Sequence, residues 1–282
     1  MLIINADDWG RTRAETDAAL HCYEKGRITS ASAMVFMQDS ERAAEIANET
    51  KIDVGLHLNF SEPFTGNHGA TSLTDYHHRT VRFLTLSKYC QLVYNPFLRR
   101  AFAYSCQAQI AEFGRLFGKP PSHIDGHHHM HLCANLLFSG LIPAGTTMRR
   151  NFSFWPDEKS VLNRAYRRLV DAWLARKYCL PDYFFDLTQS IREKKLERVV
   201  ALVRSGNVEL MTHPILPLEM DFLMSDEMGV LLQSVEAGNF ARLGPVPSSA
   251  QPATPIIQHG SSCERAIASP RPSCQTNTCL PP

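Results

Sequence analysis

The chain has 282 residues, 29 lysines and arginines against 28 acidic residues (a formal charge of +1), and 44% apolar side chains. That length suits a single α/β barrel, and the apolar share can fill a sizeable core. The charge balance gives no reason to expect nucleic acid or an anionic membrane as partner. No apolar run approaches the ~20 residues that span a bilayer.

The first predicted strand, "LIINA" (residues 2–6), runs into "DDWG". One aspartate at a strand end is ordinary turn chemistry. Asp7 and Asp8 side by side repel each other, so a positive group is expected next to them, a metal ion being one candidate. Residues 11–28 form the first predicted helix, with Thr12 as N-cap, Ala14, Ala18, Ala19 and Cys22 at helical spacing, and Gly26 as its stop. "SASAMVF" (30–36) reads as a strand, "DSERAAEIANET" (39–50) as a helix and "KIDVGLHLNF" (51–60) as a third strand. Strand–helix–strand alternation implies parallel strands with helical crossovers.

Residues 61–80, with Gly66 and Gly69, read as an irregular loop, and 81–117 as largely helical up to Gly118 and Pro120-Pro121. "SHIDGH" (122–127) is the fourth strand and "TTMRR" (146–150) a weaker fifth. Between them, "LCANLLFSGLIPAGTTM" is short for a full helical crossover. "VLNRAYRRLVDAWLARKY" (161–178) is an amphipathic helix with Leu162, Tyr166, Leu169, Val170 and Trp173 on one stripe. "YFFDL" (183–187), a helix over 191–206, "NVELMTHP" (207–214) and a last helix over 225–240 complete the pattern. The basic pairs Arg149-Arg150 and Arg167-Arg168 read as solvated faces or local contacts.

About seven βα units in one direction predict an α/β fold, a closed or nearly closed parallel (β/α) barrel, over residues 1–243. A doubly wound nucleotide-binding sheet is the alternative, but no G-x-G-x-x-G follows the first strand. Residues 244–282, rich in Pro, Ser and Thr, are expected to be a disordered tail. Cys22, Cys90, Cys106, Cys133 and Cys179 are expected to be reduced, packed thiols, and Cys263, Cys274, Cys279 and His259 in the tail match no zinc module. With no signal peptide in view, a cytoplasmic location is expected.

Ionisable residues recur at the carboxyl ends of the predicted strands. Asp7 and Asp8 close the first, His57 the third, Asp125 and His127 the fourth, Arg149 the fifth, Asp186 the sixth and His213 the seventh. In a parallel barrel these ends converge on the face that carries active sites. His127, His129 and His131 alternate and would share one side of an extended chain. A lone strand-end histidine is more often structural, but two aspartates and three histidines together point to a metal or acid–base site. One carboxylate with two imidazoles and open positions for water suits a hydrolytic divalent cation. A second carboxylate can take the water's proton, and a histidine can protonate the leaving group.

"NADDWG", "GLHLN", "HIDGHHHMH" and "MTHP", in that order over residues 1–240, resemble the YdjC-like carbohydrate deacetylases. That group includes chitooligosaccharide deacetylases and enzymes associated with hopanoid biosynthesis. The resemblance implies a barrel related to polysaccharide deacetylases and metal-dependent removal of acetyl from an N-acetylated sugar. It makes Asp8, His57 and His127 the metal ligands, with Mg2+ favoured and Zn2+ compatible. Asp7 becomes the general base and His213 the general acid, while Asp125, His129 and Arg149 brace the site or touch substrate. Trp9 stands where relatives commonly have phenylalanine, and Ile215 where they have glycine. The alternatives are another metal-dependent amidase, a phosphoester hydrolase, or a non-catalytic sugar-binding barrel. A homodimer is compatible with the sequence.

Overall fold

The computed structural model describes residues 1–66 and 71–243; the expected unstructured tail over 244–282 lies outside the described residues. A curled parallel sheet runs in the order β4-β3-β2-β1-β6-β5. Its strands are β1 (Leu2–Trp9), β2 (Ser30–Ala33), β3 (Asp53–Leu58), β4 (Ile124–Gly126), β5 (Tyr183–Asp186) and β6 (Val208–Thr212), with β7 (Ala237–Gly238) paired to the start of β1. The helices between them are α1 (Arg13–Glu24), α2 (Ser40–Thr50), α3 (Thr71–Leu86), α4 (Arg99–Phe117), α5 (Ala134–Leu137) and α6 (Val161–Leu174). After β5 come α7 (Leu187–Arg192), α8 (Leu196–Ala201), α9 (Pro217–Met224) and α10 (Asp226–Ser234). As read from sequence, Thr12 caps α1 by accepting from the Glu15 amide, and Gly26 turns the chain at φ +65°.

Every residue of β1 is buried, but the two sides of the strand differ in kind. Leu2, Ile4 and Ala6 join Ala31, Val54, Leu56, Ile124, Val208 and Leu210 in the apolar layer beneath the helices. The alternate positions point inward and are largely polar: Asn5, Asp7, Ser30, Ser32, His57, Asp125 and Glu209, all buried. Helices on the outside drive the burial, and the barrel interior holds the chemistry.

The floor of this interior is tightly fitted. The His123 ring stacks on Phe240 at 3.6 Å, bonds to Ser32 Oγ at 2.9 Å, and lies over Gly55, where an added Cβ would come within 2.3 Å of it. Burial pushes the His123 pKa down to about 4, so the ring is neutral. Gly55→Ala should therefore cost about 1–3 kcal/mol through overpacking. A lowered urea midpoint at unchanged m-value would register it.

The expected helix over 191–206 is broken at residues 193–195 into the end of α7 and α8, and four further elements differ. The loop over 61–80 contains the start of α3, whose buried stripe of Leu73, His77, Thr80, Val81 and Leu84 includes polar members that hide its period. The fifth strand is reduced to single bridges, Met148 to Ile124 of β4 and Thr147 to Cys179, so the sheet is a curled half-barrel rather than a closed one. The last helix stops at Ser234, and Ala237–Gly238 pairs with the start of β1, where Gly238 leaves room for the Met1 sulfur that a Cβ would meet at 2.1 Å. In α6 the apolar stripe faces outward, with Leu162 84% and Leu169 71% exposed, while Asp171 and Leu174 are the buried positions. Among the described residues no helix is long and apolar enough to cross a membrane.

Candidate active site

Parallel pairing is regular through Ala6 and shifts register before Trp9, and in that bulge Asp8 adopts φ +67°. Aspartate is among the few residues that tolerate this left-handed conformation. The bulge turns two neighbouring carboxylates, which a regular strand would send to opposite sides, into one cleft. Trp9 and Gly10 anchor the turn, with the indole N–H donating to the Ala43 carbonyl at 2.9 Å and Gly10 at φ +85°.

Asp8, His57 and His127 place one donor atom each within 4.8 Å of one another. Asp8 Oδ1 lies 3.4 Å from His57 Nε2 and 2.8 Å from His127 Nδ1. The second approach lacks hydrogen-bond alignment, so Asp8 Oδ1 is buried without a hydrogen bond, as is His127 Nε2. Burial opposes ionisation of Asp8, yet His127 and His57 hold its carboxyl well below the usual range. His57 Nδ1 donates to Asp125 Oδ1 at 2.8 Å, which aims Nε2 at the aspartates. Burial would lower the His57 pKa, but Asp125 and Asp7 outweigh it and raise it to about 10. The site thus attracts positive charge.

Arg149 accounts for much of the remaining order. It is fully buried, so of the two readings of Arg149-Arg150, solvated face or local contact, Arg149 takes the second, and its contacts are with carboxylates. Its guanidinium grips Asp7 with two bonds of 2.7 Å, reaches Asp125 Oδ2 at 2.8 Å, donates to Glu209 Oε1 at 2.6 Å, and sits over the Phe184 ring. Asn5 donates to Asp7 Oδ1 at 2.9 Å. Asp7 Oδ2 keeps one acceptor site beyond Arg149 and lies 3.9 Å from His57 Nε2. Burial raises the Glu209 pKa to about 8. Once His57 gives up its extra proton, three carboxylates, Asp7, Asp8 and Asp125, against one guanidinium leave two negative charges, which a divalent cation would cancel. The buried oxygen without a partner, two imidazoles and this charge deficit fit such an ion.

His213 enters from the β6 side, its Nε2 3.9 Å from Asp8 Oδ2. Its backbone N–H donates to buried Glu219, whose carboxylate also accepts from Thr212 and Thr188 at 2.5 Å each. Ile215 keeps an ordinary φ, so the missing glycine strains nothing. Asp186 caps α7 through the Gln189 amide at 2.6 Å and groups with His213 and Glu219. The alternation of His127, His129 and His131 does not survive: His128 and His129 are left-handed, at φ +51° and +59°, and the three rings diverge. His127 faces Asp8. His129 packs edge-on to Phe152 at 4.5 Å, its pKa pushed well down by burial. His131 donates to the Arg149 carbonyl at 3.2 Å.

Glu62, Glu209 and Glu219 were not singled out in the sequence. Glu62 comes from the loop after β3, pairs with Arg11 at 2.7 Å and approaches His127 Nε2 to 3.2 Å. Glu209 had a signal, a charge at an inward position of a wholly buried strand. The cleft, about 300 Å³, is lined by Asp7, Asp8, His57, His127, His213 and Leu216 among others, within the range of ligand sites.

The YdjC-like protein family profile matches residues 1–234. The chain belongs to the YdjC-like family. This YdjC-like chain is 31% identical over 135 residues to a chitooligosaccharide deacetylase of Yersinia pestis (strain Pestoides F), covering 47% of this chain and 51% of that protein. It is 34% identical over 139 residues to a carbohydrate deacetylase of Vibrio campbellii, covering 48% and 52% respectively. The match thus spans about half the length of each relative. A crystal structure from Enterococcus faecalis V583, described as a "putative cellobiose-phosphate cleavage protein", superposes with a TM-score of 0.59 at 20% identity, covering 86% of this chain and 98% of that one, and supports the fold.

Proposed function

We propose that this YdjC-like chain is a metal-dependent carbohydrate N-deacetylase acting on an N-acetylglucosamine-type sugar. The observation that carries the reading is the convergence of Asp8, His57 and His127 around a buried, unbonded carboxylate oxygen, beside an Asp7 clamped by Arg149. The names of the Yersinia and Vibrio relatives support the substrate class. Asp8, His57 and His127 would hold the ion, Mg2+ in preference to Zn2+ by family resemblance. When bound, it supplies Lewis-acid polarisation of the acetyl carbonyl and a lowered pKa for water.

The side chains divide the remaining work. Arg149 and Asn5 fix the Asp7 carboxylate so that the free acceptor site on Oδ2 faces the cleft, where it takes the proton of the attacking water. Asp125 holds the His57 proton on Nδ1 and keeps Nε2 directed at the ligand cluster. His213, set by the Glu219 grip on its backbone, delivers a proton to the departing amine nitrogen. Loss of acetate release from N-acetylglucosamine oligomers on adding chelator, and its return with metal, is the direct test. A chain that releases none under any metal loading sinks the assignment.

The His57 position also fixes a pH dependence. Its pKa is raised to about 10 in the ion-free protein, so at neutral pH Nε2 carries a proton that a cation must displace. Metal affinity should therefore climb as pH rises toward about 10 and fall with acid, with about one proton released per ion bound near pH 7. Calorimetry in buffers of different ionisation enthalpy counts that proton. His57→Ala should abolish the release together with metal retention and turnover.

A further inference from the structure

The outward face of α6 has no use in the site just described. Val161, Leu162, Tyr166, Leu169 and Trp173 cover an arc of roughly 140° at 100° per residue, and all five are exposed. Phe138, 67% exposed, extends the patch, its ring 5.9 Å from Trp173. A contiguous apolar surface of this kind marks an interaction site. Charge says what it meets. Residues 159–177 hold six lysines and arginines against one acidic residue, Asp171, in a chain whose overall charge is +1. Asp171 is already bound to Arg150 at 2.8 Å. Arg164 and Arg167 turn toward the buried side, Arg167 over the Phe154 ring, but among the described residues Arg168, Arg176 and Lys177 form no ion pair, so their charge is open to a partner.

We infer that α6 is an interfacial helix that seats the barrel on an anionic lipid bilayer. Its apolar stripe enters the headgroup–acyl boundary, Tyr166 and Trp173 lie at headgroup depth, and Arg168 and Lys177 flank the stripe toward lipid phosphates. A second copy of the chain is a poorer occupant, because an isologous contact would set this basic segment against itself. The near-zero net charge averages the segment away.

Sedimentation of the full chain with phosphatidylcholine vesicles, with and without phosphatidylglycerol, tests this. Binding should require phosphatidylglycerol, weaken with added salt, and shift the Trp173 emission to the blue. A Leu162→Gln/Leu169→Gln variant should bind about tenfold more weakly or worse. It should keep its melting temperature, since both side chains are exposed. No binding to anionic vesicles, equal binding to both vesicle types, or undiminished binding by the variant overturns the inference. So does lipid-free self-association that the same variant abolishes, which would assign the face to a second copy.

Discussion

Asp7→Asn and Asp8→Asn are expected to fail in opposite ways. Asp7→Asn should retain the divalent ion and lose about 100-fold or more in kcat, the scale of a missing general base. Asp8→Asn should lose the ion first, because a charged ligand becomes an amide with half its acceptor capacity. The comparison is fair at the backbone: asparagine, like aspartate, tolerates the φ of +67° at position 8. At position 7 the amide would turn one N–H group toward an Arg149 donor, so thermal melting must accompany the kinetics. Calorimetric metal affinity and kcat on the two proteins decide the roles, and the opposite pairing of defects would reverse them.

Arg149→Met should cost about 3–5 kcal/mol of stability, the usual range for removing one partner of a buried ionic network. The reason is local. The guanidinium is bonded to Asp7, Asp125 and Glu209 at once, and all three stay behind as buried groups. Arg149→Lys keeps the charge but not the fork, so it should recover part of the stability and little of the kcat. Denaturant unfolding and acetate release on both variants separate the two contributions.

Much of this was legible in sequence because parallel strands put their carboxyl ends on one face. Asp7, Asp8, His57, Asp125, His127 and His213 do meet in one cleft region. What escaped was set by contacts distant along the chain. The buried positions of α3 include His77 and Thr80, which carry no apolar signal. Arg149 lies beside another arginine on a strand reduced to bridges, and nothing local distinguishes it from its half-exposed neighbour. The histidine run lost its alternation to two left-handed residues, which no period of two can anticipate. The α6 stripe was a correct helix with its face turned the other way, because Asp171 and Leu174, not the leucine-rich side, pack inward.

The polar barrel interior also bears on how the chain folds. Asn5 and Asp7 on β1, Ser30 and Ser32 on β2, Asp125 on β4, Glu209 on β6 and Arg149 on the bridged segment after β4 bond to one another across the sheet, with His57 and His123 joining them. A one-residue slip of any of these strands would carry its inward set to the helix-covered side and leave its partners charged and alone. An oily interior would forgive such a slip; this one makes the misaligned collapsed state high in energy. Strand alignment and curling of the sheet should therefore be completed together, late and cooperatively, after the helices have formed.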